Sequence, residues 1–232
     1  MKESFGEIKK RISKIMRRLA KAYPDAQCAL DFSNPLELLF ATILSAQCTD
    51  KRVNRVTPAL FSRYKTAADY AAADPEEMEE IIRTTGFYKN KGKNIRAAAK
   101  IIAEKFNGKV PDRQEDLVEL PGVGRKTANV VLGSAYGVPG LTVDTHMIRL
   151  NNRLRLTKNQ DPVKIEFDLM KLVPRQLWTH YSHWIIHHGR QRCYARNPDC
   201  EHCEVQDLCP SAFQFPGKKK APGRRFFPSP AH

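Results

Sequence analysis

Two groups of residues in this 232-residue sequence could do chemistry. The first is Lys126 with Asp144, 18 positions further on, inside LPGVGRKTANVVLGSAYGVPGLTVDTH (120–146). The second is Cys193, Cys200, Cys203 and Cys209, spaced C-x6-C-x2-C-x5-C. A neutral lysine amine attacks an electrophilic carbon and forms a Schiff base. Lys126 falls in the first turn of an expected helix, where the dipole's positive end and Arg125 both oppose a further positive charge. Asp144 directly precedes THMIRLNNRL and is expected to cap that helix. A capping carboxylate has a fixed direction, so it can also serve a reaction. Four thiolates this close together hold a metal, either zinc or an iron–sulfur cluster. The spacing alone does not choose between them, although a single CxxC argues against a pair of zinc knuckles.

The elements that must position the first group read as helix, hairpin, helix. EDLVEL is one short helix, Pro121-Gly122-Val123-Gly124 breaks it, and KTANVVLGSAY forms the next until Gly137 and Pro139 stop it. Gly122 and Gly124 are both expected at positive φ, which turns hairpin N–H groups outward toward a phosphate oxygen. The net charge of +14 and a pI near 9.6 agree with a polyanionic partner. Five of those positive charges lie after Ala212, so the residues before it still carry +9.

Apolar positions set out the remaining helices. Phe5, Ile8, Ile12, Ile15 and Leu19 make one face of an N-terminal helix that Pro24 ends. LELLFATILSAQC opens at Asn34-Pro35 and is deeply buried. Thr49 or Asp50 caps KRVNRVTPALFSRY, in which Pro58 marks a break or kink. Asp74-Pro75 starts EEMEEIIRTTG, and Gly86 ends it. Phe87 then stands on a turn beside Lys89, Lys91 and Lys93, where an exposed aromatic is unusual unless it stacks on something. KGKNIRAAAKIIAEKF is a long helix with Ile95, Ala99, Ile102 and Phe106 inward. Further helices are expected at 145–156, 162–173 and 175–188. His180, His183, His187 and His188 have no matching carboxylate pattern nearby, so they are not read as metal ligands. No apolar run approaches a membrane span, and the N-terminus lacks a signal-peptide core. Bunched cysteines suit metal ligation in a reducing compartment.

LPGVGRKTANVVL followed by VDTH closely resembles the signature of the endonuclease III family, within the helix–hairpin–helix DNA glycosylases. The resemblance runs over about residues 5–212. It implies an all-α, two-lobed fold: residues 28–136 as a six-helix lobe, and residues 1–27 packing with 137–212 as an iron–sulfur lobe. Residues 213–232 are left as a disordered basic tail that adds non-specific DNA affinity. The family's lysine, here Lys126, attacks C1′ of the damaged nucleotide, and its aspartate, here Asp144, assists base loss. Gln47 matches the glutamine that fills the gap left by the flipped nucleotide, and Phe87 the residue wedged between bases. Gly122, Gly124, Arg125 and Arg196 are the expected backbone contacts. Ser45 and His146 are expected to line the base pocket, and Cys48 is a buried thiol without a catalytic role. The four cysteines would hold a [4Fe–4S] cluster.

The implied function is a bifunctional DNA glycosylase and AP lyase that excises oxidised pyrimidines in base excision repair. Its expected partner is damaged double-stranded DNA. The chain is expected to be a monomer, away from membranes, cytoplasmic and, if bacterial, nucleoid-associated. Two rivals remain. A monofunctional adenine or mismatch glycosylase would share the cluster and aspartate but generally lacks the lysine. A non-catalytic helix–hairpin–helix module would use Lys126 only to grip phosphate.

Overall fold

The computed structural model describes residues 3–215, and every regular element among them is helical. Helix α1 (Phe5–Ala22) starts at a reciprocal cap between Ser4 and Glu7 and buries Ile12, Ile15, Met16 and Leu19. Phe5, at the end of the expected apolar face, is instead 55% exposed. Asn34 caps α2 (Pro35–Leu44), in which residues 38–44 are all buried. Thr49 caps α3 (Asp50–Arg63). Helix α3 runs through Pro58 without a break: Val53, Val56 and Leu60 bury beside it, and that packing offsets the roughly 3 kcal/mol an interior proline costs.

Helix α4 (Ala67–Ala71) is an element that the apolar pattern did not announce. Its signal is the capping box Thr66-x-x-Asp69, in which both reciprocal bonds form. Helices α5 (Pro75–Ile82) and α6 (Tyr88–Lys105) follow, joined by a 3-10 turn at Arg83–Thr85 and by Gly86. The hairpin's first helix, α7 (Gln114–Leu117), is a single turn, and its second is α8 (Arg125–Ala135). Helices α9 (Thr145–Arg153), α10 (Pro162–Met170) and α11 (Trp178–Gln191) complete the set.

These helices bury two separate cores. One gathers side chains from α2 to α8, with Phe40, Leu38, Leu39, Leu60 and Met78 fully enclosed. The other joins α1 to α9, α10, α11 and Val205 of the cysteine loop. The chain therefore passes between the cores twice, after α1 and after α8. The second passage, residues 136–144, carries Asp144 at its end. A bidentate pair of Arg125 with Glu166 (3.0 and 2.7 Å) and a pair of Arg190 with Asp50 (2.7 Å) tie one core to the other. No helix among the described residues is long and apolar enough to cross a membrane. The expected basic tail lies almost wholly outside the described residues, which stay packed against the cysteine loop as far as Phe215.

Candidate active site and cysteine pocket

Gly122 takes the expected positive φ of 79°, and a Cβ there would lie 3.0 Å from the Asn94 side chain. Gly124 does not match the expectation. Its φ of −99° is extended, because it acts as the N-cap of α8, and the hairpin needs only one left-handed residue. No side chain caps α8, so its first-turn N–H groups remain available to an anion. Lys126 stands exposed in that turn. Asp144 is the N-cap of α9 and accepts from the Met147 N–H at 2.8 Å. The segment leading to it is pinned on both sides. Asn129, three residues after Lys126, donates to Leu141 O at 2.8 Å, and the Thr142 N–H donates to Ser182 Oγ at 3.0 Å. Asp144 is thus held by its own helix and by α8 and α11.

Gln47 and Phe87 share an unusual backbone. Both are exposed non-glycine residues in the left-handed region, with φ of 53° and 48°, and Phe87 is 65% exposed. Ser45 is half-buried at the end of α2 and turns its hydroxyl back onto Thr42 O (2.8 Å). His146, half-buried in the first turn of α9, meets Arg149 Nη2 at 3.0 Å through Nδ1. Arginine only donates, so Nδ1 accepts and the ring is neutral. Burial lowers the His146 pKa in the same sense, against the opposing charge of Asp144.

Arg125 is not a free cation, since its guanidinium forks onto buried Glu166 and lies over the Phe167 ring. Arg190 and Arg192, just before the cysteine loop, pair with Asp50 and with Asp199 and Glu204. Arg196 remains exposed on the cysteine loop. Lys91, which the sequence sets beside Phe87 among other lysines, is only 4% exposed. The signal was present in the sequence: position 91 lies one helical step before Ile95 and Ala99, on the stripe that buries α6.

The four cysteines of the loop line a single cavity with Leu150, Arg153 and His188. Donors approach the sulfurs from the protein: Arg153 Nη1 reaches Cys193 Sγ at 3.1 Å, and the Phe213 N–H reaches Cys200 Sγ at 3.5 Å. His188 Nε2 lies 3.5 Å from Cys203 Sγ, while its Nδ1 is 3.4 Å from Glu204. A carboxylate therefore does stand beside one of the histidines, brought there by the loop's fold. Burial and the neighbouring acidic groups push the Cys203 thiol up to about 12, and burial also raises Cys209. Such a thiol set ionises together only around strong positive charge, and the N–H donors suit thiolates. The site therefore fits a metal cluster.

Known proteins agree with this architecture. Residues 40–175 match the model of the HhH-GPD superfamily base excision DNA repair proteins, and residues 193–209 match the iron–sulfur binding domain of endonuclease III. Endonuclease III of Synechocystis sp. is 56% identical over 205 residues, 88% of this chain and 94% of its own. The chain belongs to the endonuclease III family.

Endonuclease III of Bacillus subtilis is 45% identical over 201 residues, covering 86% of this chain and 92% of that one. The solved non-covalent endonuclease III–DNA complex superposes with a TM-score of 0.85 at 43% identity, over 89% of this chain and 97% of that chain. As a member of that family, the protein is a bifunctional DNA glycosylase and AP lyase of base excision repair. It carries the family's [4Fe–4S] cluster. The helix–hairpin–helix fold and all-α class expected from the sequence are those of the family.

Proposed function

We propose that the enzyme binds damaged duplex DNA as a monomer and excises oxidised pyrimidines, with Lys126 as nucleophile and Asp144 as electrostatic partner. The observation that carries this is the pair's setting. Lys126 stands exposed in an uncapped helix N-terminus, and Asp144 is fixed in direction by its cap and by a segment pinned to the same helix. The free N–H groups of the hairpin and the exposed Arg196 hold the phosphate backbone. Gln47 and Phe87 occupy the space left by the target nucleotide and part its neighbours, while the nucleotide turns into a pocket that includes Ser45 and His146.

The neutral Lys126 amine donates its electron pair to C1′. The N-glycosidic bond breaks, its electron pair leaves with the base, and the base takes up a proton. Asp144 stabilises the positive charge that develops on the sugar. The lysine–sugar adduct opens to an imine. Loss of a proton from C2′ then expels the 3′ phosphate, and water releases the lysine. Cys193, Cys200, Cys203 and Cys209 would hold the cluster, which would tie the loop together, while Lys126 and Asp144 account for the bond making. By this reading the enzyme works in the cytoplasm on nucleoid DNA.

A duplex carrying thymine glycol tests the reading. The enzyme should release the base and nick the strand without alkali, whereas undamaged mismatches should stay intact. Base release that leaves a strand cut only by hot alkali would favour the monofunctional rival. Tight binding with no base release would favour the binding module.

A further inference from the structure

Lys91 is the only lysine among the buried residues described, and no carboxylate partners it. Its Nζ donates instead to two backbone carbonyls, Leu44 O and Thr85 O, each at 2.8 Å. Leu44 is the last residue of α2, and Thr85 ends the 3-10 turn before α6. Gln47 lies three residues beyond the first carbonyl and Phe87 two beyond the second. The Lys91 N–H also bonds Phe87 O at 3.0 Å, closing the first turn of α6. One residue therefore holds the bases of two of the turns that present left-handed, exposed side chains, those of Gln47 and Phe87.

Two physical points give this arrangement meaning. Burial opposes the Lys91 ammonium and lowers its pKa, and the two enclosed carbonyls hold it there; an apolar side chain of equal length would leave both without this donor. Left-handed non-glycine residues persist only where the surroundings over-determine them. A pair of such residues on separate elements keeps a constant separation if the two turns share an anchor.

We propose that Lys91 is a positioning residue that locks the Gln47 turn to the Phe87 turn, so that both enter the duplex as one rigid device. The inference rests on the reading of Gln47 and Phe87 as the residues that enter the helix. Lys91 touches no nucleotide and takes no part in bond making. Its effect is confined to the step in which a paired base must leave the stack.

The test compares cluster-loaded wild type with Lys91→Met, in single-turnover base release from one lesion, either paired in duplex or placed in a single strand. The paired lesion should be processed about tenfold to a hundredfold more slowly, the range that base–aromatic contacts span, with the unpaired lesion nearly unaffected. In a Gln47→Ala/Phe87→Ala background, adding Lys91→Met should change little more. An equal fall on both substrates, or no fall on the paired one, overturns the proposal. If Gln47→Ala/Phe87→Ala itself leaves the paired rate unchanged, the reading beneath the proposal fails, and the proposal fails with it.

Should Lys91→Met not fold, hydrogen exchange on the wild type decides. The Cys48 and Gly86 amides, bonded to Ser45 O and Arg83 O, should open with one common free energy. Separate opening overturns the proposal.

Discussion

Asp144 carries two duties that can be separated. Its carboxylate caps α9 through the Met147 N–H, and the same group faces the reaction in the mechanism proposed. Asparagine caps a helix about as well as aspartate but has no charge. Asp144→Asn should therefore change unfolding free energy by less than about 0.5 kcal/mol. Base release should slow by about 10²–10³-fold, the usual loss when one aimed electrostatic partner is removed. Urea melts and single-turnover rates measure the two effects independently. The cap at Asp144 and the gathering of the four cysteines around one cavity were legible because residue type and spacing determine both. His188 was not: only the folded loop brings Cys203 and Glu204 to its two ring nitrogens.

At the scale of elements, the hairpin helix α8 is joined to α10 by the fork of Arg125 on Glu166. Glu166 is almost wholly buried and also accepts from Asn129 Nδ2 at 3.2 Å. Removing Arg125 leaves that carboxylate without its counter-charge, and breaking a buried pair this way costs about 3–5 kcal/mol. The guanidinium is partly exposed, with 36% of its side-chain surface open, which brings the expectation for Arg125→Ala down to about 2 kcal/mol. Arg125→Ala/Glu166→Gln should recover part of it, as chemical denaturation of the two variants will show. A loss of DNA affinity with no loss of stability would instead make Arg125 a phosphate contact. Helix starts were legible from Asn34, Thr49 and Asp144, whose caps all form. The partnership of Arg125 was not, because Glu166 lies on a helix of the other core. Gly124 was misjudged because a glycine at an N-cap and one in a left-handed turn look alike in sequence.

The described residues form two cores joined by two passages of chain, and α11 serves the second core while His180 and His183 edge the groove beside the first. Burial, with His187 and His180 nearby, pushes His183 down to about 4. The ring is neutral in the folded protein at pH 7, and in the unfolded chain it takes a proton below about 6.5. Between those values the unfolded state binds more protons, so stability is lost as pH falls from about 6.5 toward 4. His183→Gln should flatten that decline by on the order of 1–2 kcal/mol, read from melts at pH 7 and pH 5. The all-helical class and the basic character of the body were legible at this scale. The burial of Lys91 follows from the periodicity of α6, but Lys89 and Lys93 on either side face solvent and mask it in the sequence.

The central claim is that Lys126 forms a covalent imine with the sugar. Borohydride reduction during reaction with duplex DNA that carries thymine glycol or an abasic site tests it most directly. Wild type should give a stable protein–DNA adduct on both substrates. Lys126→Ala should give none while still binding the abasic duplex within a few-fold of wild type. An adduct of undiminished yield in folded, cluster-loaded Lys126→Ala, or none in wild type, would contradict the account.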